Sequence, residues 1–219
     1  MRTGSRADKL VRGVTAEMED ERQLIKQAKD GDVEAFMVLV KRYEKPIYHL
    51  VYRLTRNQED AADLTQETML KAFKGLKTFK EKSSFHTWLH RIAVNLSLNF
   101  LEKNRARKDQ LEYLDQRLNE ETELRAETGN ENWLPAEELR ENLEKALAEL
   151  PLIYKTAFFL VVFQGLSHRE AAEVLGCSEG TVSWRIHEAR KMLRERLKPF
   201  INRVGEAEND LPKVSKDDI

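Results

Sequence analysis

Residues 165–193 read GLSHREAAEVLGCSEGTVSWRIHEARKML, and they hold two helices with the turn between them. Ser167 and Glu170 stand at the spacing of a capping box. There the serine hydroxyl accepts from the backbone N–H three residues on, and the glutamate reaches back to the serine's own N–H. Ala171, Ala172, Val174 and Leu175 form the buried side of a short helix. Gly176 permits a sharp turn, and Ser178 is placed to cap a longer helix starting near Glu179. In that second helix Val182, Ile186, Ala189 and Leu193 recur at three- and four-residue steps, so they face a core. Ser183, Trp184, His187 and Lys191 then point away from it, with Arg185 and Arg190 on the flanks. This is the pattern of a helix-turn-helix, whose second helix enters the major groove while flanking cations reach phosphates. A generic helical hairpin is the plainer alternative. The two caps, the small residues at the crossing and the basic outer flanks favour the DNA reading. An exposed Trp184 needs a partner, either a ligand or a neighbouring helix.

Toward the N-terminus the helical period continues. Ala157, Phe158, Leu160, Val161 and Phe163 form one helix, which Gly165 stops; Leu139, Leu143, Ala146, Leu147 and Leu150 form another, closed by Leu150-Pro151. Residues from about 105 to 134 lose the period and turn polar, which predicts a linker. Before them, Gly31 closes one helix and Asp32 caps the next, whose apolar face is Phe36, Leu39, Val40, Tyr43, Ile47, Leu50, Val51 and Leu54. Pro46 is expected to break or kink that helix near Lys45. Asn57 caps a further helix with Glu59 and Asp60 in its first turn, where the helix dipole favours acids. That helix is expected to bury Ala61, Leu64, Thr65, Thr68, Met69, Ala72, Phe73 and Leu76. A polar loop from Lys77 to Ser84 precedes a fourth stripe of Phe85, Trp88, Leu89, Ile92, Ala93 and Leu96.

The fold class is therefore all-α: two small helical domains joined by a flexible acidic linker. The expected boundaries are a flexible N-terminus over 1–18, a helical bundle over 19–108, the linker over 109–135, the helix-turn-helix domain over 136–200, and a disordered tail over 201–219.

Composition excludes several alternatives. Among 219 residues there are 37 Lys and Arg against 38 Asp and Glu, so no uniformly basic coat exists and nucleic-acid binding must use local patches. Only 9 Gly and 5 Pro argue against a turn-rich β fold. The single cysteine, Cys177, excludes an internal disulfide framework and a cysteine-cluster zinc site, and fits a reducing cytoplasm. No apolar run is long enough to span a bilayer, and the basic N-terminus lacks the apolar core of a secretory signal. The charges are nonetheless segregated. Between residues 109 and 149 thirteen acids face four bases. Lys103, Arg105, Arg107 and Lys108 precede this stretch. Arg185, Arg190, Lys191, Arg194, Arg196 and Lys198 follow it, against Glu188 and Glu195. Two basic patches flank an acidic middle.

The stretches DLTQETMLKAFKGLKTF (63–79), FHTWLHRIAVN (85–95) and LPLIYKTAFFLVVFQGLSHREAAEVLGCSEGTVSWRIHEARKML (150–193) resemble the extracytoplasmic-function (ECF) group of the sigma-70 family. The likeness covers about 20–108 and 136–197, in the family's order, and is nearest to sigma-E-like members. It implies a bacterial transcription initiation factor that binds core RNA polymerase, recognises −35 and −10 promoter elements and assists melting, without chemistry of its own and without a cofactor or metal. It implies docking on the β′ clamp and contact with β, promoter DNA as second partner, and restraint by an anti-sigma factor, with no membrane insertion.

By the same resemblance Asp63, Gln66, Glu67 and Lys71 form the clamp-docking face; alone they would read as solvated helix surface. Lys80, Ser83, His86, Arg91, Asn95, Lys103, Arg105 and Arg107 become candidate −10 contacts. Asn95 in the IA-x-N pattern would read a flipped base, where its bland role is a capping or core amide. Phe85 and Trp88 are assigned to packing. The −35 element falls to Ser183, Trp184, Arg185, His187, Arg190 and Lys191. The chain departs from its relatives at Glu188, where a basic residue is frequent; a carboxylate repels phosphate but accepts from cytosine N4.

Two other classes compete. His86 and His90 are four apart, as zinc ligands on one helix could be, yet no His-Glu-x-x-His pattern, third ligand, phosphate loop or nucleophile elbow supports an enzyme. An autonomous helix-turn-helix regulator would not need the Asp63, Gln66 and Glu67 face.

Overall fold

Asp32 shows how local chemistry sets the element boundaries. In the computed structural model the backbone is described over residues 20–115 and 135–209, and the side chains over 20–106 and 140–200. The expected N-terminus over 1–18, most of the linker and the last ten residues lie outside the described residues. A first helix, α1, covers residues 20–29. Gly31 follows at φ +105, and the Asp32 carboxylate accepts from Ala35 N at 3.1 Å to open α2, Val33–Thr55. Asn57 caps α3, Gln58–Gly75, by accepting from Glu59 N at 2.8 Å and Asp60 N at 3.1 Å. Ser84 does the same for α4, Phe85–Asp115, through Thr87 N at 3.0 Å. These four helices wrap one core of Leu39, Ile47, Val51, Leu64, Leu76 and Leu89, each stabilising the bundle by about 1.5–3 kcal/mol when fully buried.

The C-terminal half comprises α5, Pro135–Ala148; α6, Leu152–Phe158, continued by a π-helical turn at Phe159–Phe163; α7, His168–Leu175; and α8, Glu179–Asn209. Gln164 N bonds to Phe159 O at 3.0 Å, five residues back, which marks the widened turn. Among the described residues every regular element is helical.

Four expectations are corrected. Pro46 does not break α2, which runs from Val33 to Thr55 through it. Losing that N–H and crowding the preceding turn costs ~3 kcal/mol. Burial of Tyr43, Ile47, Leu50 and Val51 on both sides of the proline offsets it. The linker does not begin at 109, because α4 continues to Asp115. Residues 102–115 contain no Gly or Pro and are mostly good helix formers; the apolar period they lack reports burial, not helicity. The chain after Phe200 stays helical to Asn209. Phe73, expected in the core, is 43% exposed.

The two halves also touch. Leu50 and Leu54 of α2 and Val94 of α4 belong to the second apolar cluster, with Ala146, Leu147, Phe159 and Leu160. Helix α4 packs along α7.

Candidate nucleic-acid interface

The helix-turn-helix is assembled as its caps require. Ser167 Oγ accepts from Glu170 N at 3.2 Å, and Glu170 Oε2 accepts from Ser167 N at 2.9 Å and Ser167 Oγ at 2.7 Å. Burial alone would raise the Glu170 carboxyl. The hydrogen bonds from Ser167 and from Thr87 outweigh it and hold the group below the usual glutamate range. Gly176 takes φ +62, and its N–H bonds back to Ala172 O to close α7. Ser178 Oγ accepts from Thr181 N at 3.1 Å to open α8. Val182, Ile186, Ala189 and Leu193 are buried, as their spacing predicts.

Ser183, Trp184, His187, Arg190 and Lys191 all face outward and exposed on α8. They do not form one uniform face. The Ser183 hydroxyl is already engaged with His168 Nδ1 at 2.8 Å. Trp184 packs edge-on against Tyr154 at 5.6 Å between centroids yet stays 52% exposed, so the neighbouring helix covers only part of it. Arg185 is half-buried and leans on Cys177 Sγ at 3.9 Å. His187, Arg190 and Lys191 line one basic crevice with Arg194 and Glu195. Glu188 is half-buried.

In the N-terminal half, Asp63, Gln66, Glu67 and Lys71 are exposed on the outer face of α3, with Lys71 Nζ 3.2 Å from Glu67 Oε1. Beside that face runs a groove of about 980 Å³ between α2 and α3, bordered by Gln66 and lined by Val33, Met37, Val40, Leu70 and Phe73. Leu70 at 59% and Val33 at 56% exposed make it an unusually bare apolar surface, of the kind that marks a protein contact. The sequence motifs did not point to it. Its signal was the apolar residues Val33, Met37 and Leu70 outside the core stripes.

The loop before α4 holds Lys80 exposed and Ser83 half-exposed, and Lys29 anchors it through an ion pair to Glu81, which takes φ 55. Glu21, Arg22, Ile25, Phe79, Glu81 and Ser83 surround a crevice of about 430 Å³. Phe79, Phe85 and Trp88 stack behind it, Phe79 to Trp88 at 4.8 Å. Arg91 and Asn95, one turn apart, are exposed on α4, with Lys103 and Arg105 exposed farther along. Arg107 is on the same helix, but its side chain lies outside the described residues. His86 is half-buried with its ring 4.1 Å from that of His90. Burial, then the neighbouring imidazole, lowers its pKa to about 4, so at neutral pH it offers no positive charge. Among the described residues no group of His, Cys, Asp and Glu is arranged to hold a metal, and no helix is long and apolar enough to cross a membrane.

Two family descriptions match in this order: sigma-70 region 2 over residues 39–107, and sigma-70 region 4 over residues 140–193. The chain belongs to the sigma-70 family, the transcription initiation factors of bacterial RNA polymerase. Within that family it is an ECF sigma factor. It is 33% identical to the ECF RNA polymerase sigma-E factor of Haemophilus influenzae over 85% of this chain and all of that one. It is 34% identical to that of Escherichia coli K12 over 82% and 95%. The fold resembles the sigma factor RpoE of Bartonella quintana, solved with the anti-sigma factor NepR (TM-score 0.56, 25% identity, 74% and 96% covered). It also resembles CnrH, solved with the cytosolic domain of CnrY (TM-score 0.60, 25% identity, 82% and 98% covered).

Proposed function

We propose that the outward faces divide the work of initiation. Asp63, Gln66, Glu67 and Lys71 dock the first module on the β′ clamp, with the α2–α3 groove taking apolar side chains beside the charged stripe. Arg91, Asn95, Lys103, Arg105 and Arg107 engage the −10 non-template strand. Ser83 lines the crevice that receives an unstacked base, Lys80 on the same loop meets the strand, and His86 contributes a neutral ring. Trp184, His187, Arg190 and Lys191 meet the −35 major groove, with Ser183 and Arg185 acting from positions already held by His168 and Cys177. The chain works in the cytoplasm, catalyses no covalent step, and leaves phosphodiester synthesis to the polymerase. An anti-sigma factor restrains it, by analogy with the Bartonella quintana relative solved with the anti-sigma factor NepR, and the bare α2–α3 groove is the surface it takes.

The observation that carries this reading is exposure. Arg91 and Asn95 on α4, and His187, Arg190 and Lys191 on α8, are solvent-facing polar groups on rigid helices whose opposite faces are core. An autonomous regulator has no use for the bare groove beside Asp63. Run-off transcription with purified core polymerase on a randomised promoter library tests it. Selected templates are expected to share two elements, with Asn95→Ala relaxing one and Arg190→Ala weakening the other. Initiation indifferent to both substitutions overturns the assignment.

A further inference from the structure

Where the C-terminal half of α2 meets the second module, cations collect. A cavity of about 350 Å³ opens there between Tyr52, Arg53 and Arg56 of α2 and Arg140 and Glu144 of α5. A second, of about 500 Å³, shares His49 and Arg53 with it and reaches Lys45, His86 and Phe163. Gln164 also lines the second cavity and is fixed in place: its Oε1 lies 3.2 Å from His90 Nε2, and its Nε2 donates to Pro46 O at 3.3 Å. The charge of this lining is one-sided. Lys45, Arg53, Arg56 and Arg140 face a single carboxylate, Glu144, so four cations less one anion leave +3. Glu144 is itself engaged by Arg140 at 3.3 Å. His86 adds no charge at neutral pH.

The two central guanidiniums are held but not satisfied. Half-buried Arg53 lies 3.9 Å from the centroid of the Phe163 ring and 5.6 Å from that of Phe159. These contacts orient its plane and leave its donors without an acceptor among the described residues. Arg56 makes one long contact, Nη1 to Glu144 O at 3.5 Å. Their field reaches buried Lys155, whose Nζ donates to Ala148 O at 2.5 Å. Burial, and then the Arg56 guanidinium, lowers the pKa of that lysine. Ordered guanidinium donors beside a cavity match the oxygens of a phosphate, which arginine takes two at a time. The space exceeds what an inorganic phosphate fills and falls in the range of small-molecule sites. Tyr52, 39% exposed and stacked parallel to Tyr48 at 6.2 Å between centroids, supplies an aromatic surface at the cavity wall.

We propose that these cavities bind a small organic polyphosphate of the nucleoside di- or triphosphate class: Arg53 and Arg56 grip the phosphates, Lys45 and Arg140 add charge, and Tyr52 packs against the ring. One wall comes from α2 and the other from α5 and the π turn, so neither module forms the site alone. A ligand held by both walls stabilises the whole chain by mass action. Tyr52, Arg53, Arg56 and Arg140 belong to none of the faces assigned to polymerase or promoter. The inference therefore stands apart from those assignments, and its test needs no polymerase.

The experiment is isothermal titration calorimetry of the full-length chain with ATP, GTP, sodium tripolyphosphate and adenosine, at near-physiological salt so that diffuse attraction is screened. One nucleotide per chain is expected to bind, with tripolyphosphate weaker and adenosine silent. Arg56→Ala, at an exposed position, is expected to weaken the nucleotide by about tenfold, the size of one lost charge-assisted hydrogen bond. Arg53→Ala is expected to do the same or more. Tyr52→Leu is expected to weaken the nucleotide and leave tripolyphosphate unchanged, a split that a merely structural role would not produce. Melting curves of each variant without ligand verify folding, and the nucleotide should raise the wild-type midpoint in proportion to its affinity. No saturable binding of either nucleotide overturns the proposal. Full binding retained by both arginine variants places the anion on a promoter-facing patch and overturns it too. Tripolyphosphate binding as tightly as the nucleotides removes the ring and overturns the class assigned.

Discussion

Glu170→Ala removes one carboxylate that three donors share: Ser167 N at 2.9 Å, Ser167 Oγ at 2.7 Å and Thr87 Oγ1 at 3.2 Å. Losing half of a capping box costs ~1 kcal/mol. For a unit the size of the C-terminal module, that lowers the melting temperature by about 4–8 °C. The effect carries a pH signature. Hydrogen bonding holds this carboxyl below its ordinary range despite partial burial. A group with a depressed folded pKa contributes its stability above the unfolded value and loses it as pH falls through the folded one. The gap between wild type and variant is therefore full at pH 7 and narrows below about pH 4. Thermal melts followed by circular dichroism on the full chain, from pH 7 down to pH 3, provide the assay. Glu170→Gln, which keeps the acceptor but not the charge, should fall between the two. Equal melting temperatures at pH 7, or a gap that widens toward acid, would refute the reasoning.

Asp63→Arg is expected to weaken core polymerase binding by about tenfold or more while leaving the circular dichroism melt unchanged, because the side chain is exposed on the outer face of α3; competition against unlabelled wild type checks the first and a thermal scan the second. Asn95→Ala should lose discrimination worth ~1–3 kcal/mol at one −10 position and leave the others alone, as template competition on single-base variants would reveal. Arg190→Ala should weaken promoter binding at every sequence tested and reduce the salt slope of log K by about 1, measured by filter binding over a range of ionic strength.

Much of the architecture was legible because it is local. Asp32, Asn57, Ser167, Gly176 and Ser178 announce helix ends through groups within a turn of themselves, and each does what its chemistry requires. Core stripes such as Val182, Ile186, Ala189 and Leu193 follow from period alone. The misreadings share another cause. Pro46 stays inside α2 because buried neighbours on both sides hold the helix, and burial is a property of the fold. The aperiodic stretch after residue 105 misled because a solvated helix needs no apolar stripe. Phe73 has the right spacing for the core but borders a groove instead. The exposed polar residues of the candidate site were named by resemblance; only the folded chain reveals that Ser183 is held by His168, that Arg185 is half-buried, and that His86 is neutral. The seating of Gln164 between His90 and Pro46 O joins residues 118 positions apart, beyond any local pattern.

The π turn at Phe159–Phe163 sets the direction in which Phe163 and Gln164 leave the helix. It accommodates one residue more than an α-helical turn. Winding the same residues as an ordinary α-helix would swing both side chains by up to about 100° around the helix axis. The amide and the ring would then miss their targets in region 2 without any side chain being altered. The widened turn thus sets the phase in which the ring and the amide face the first module.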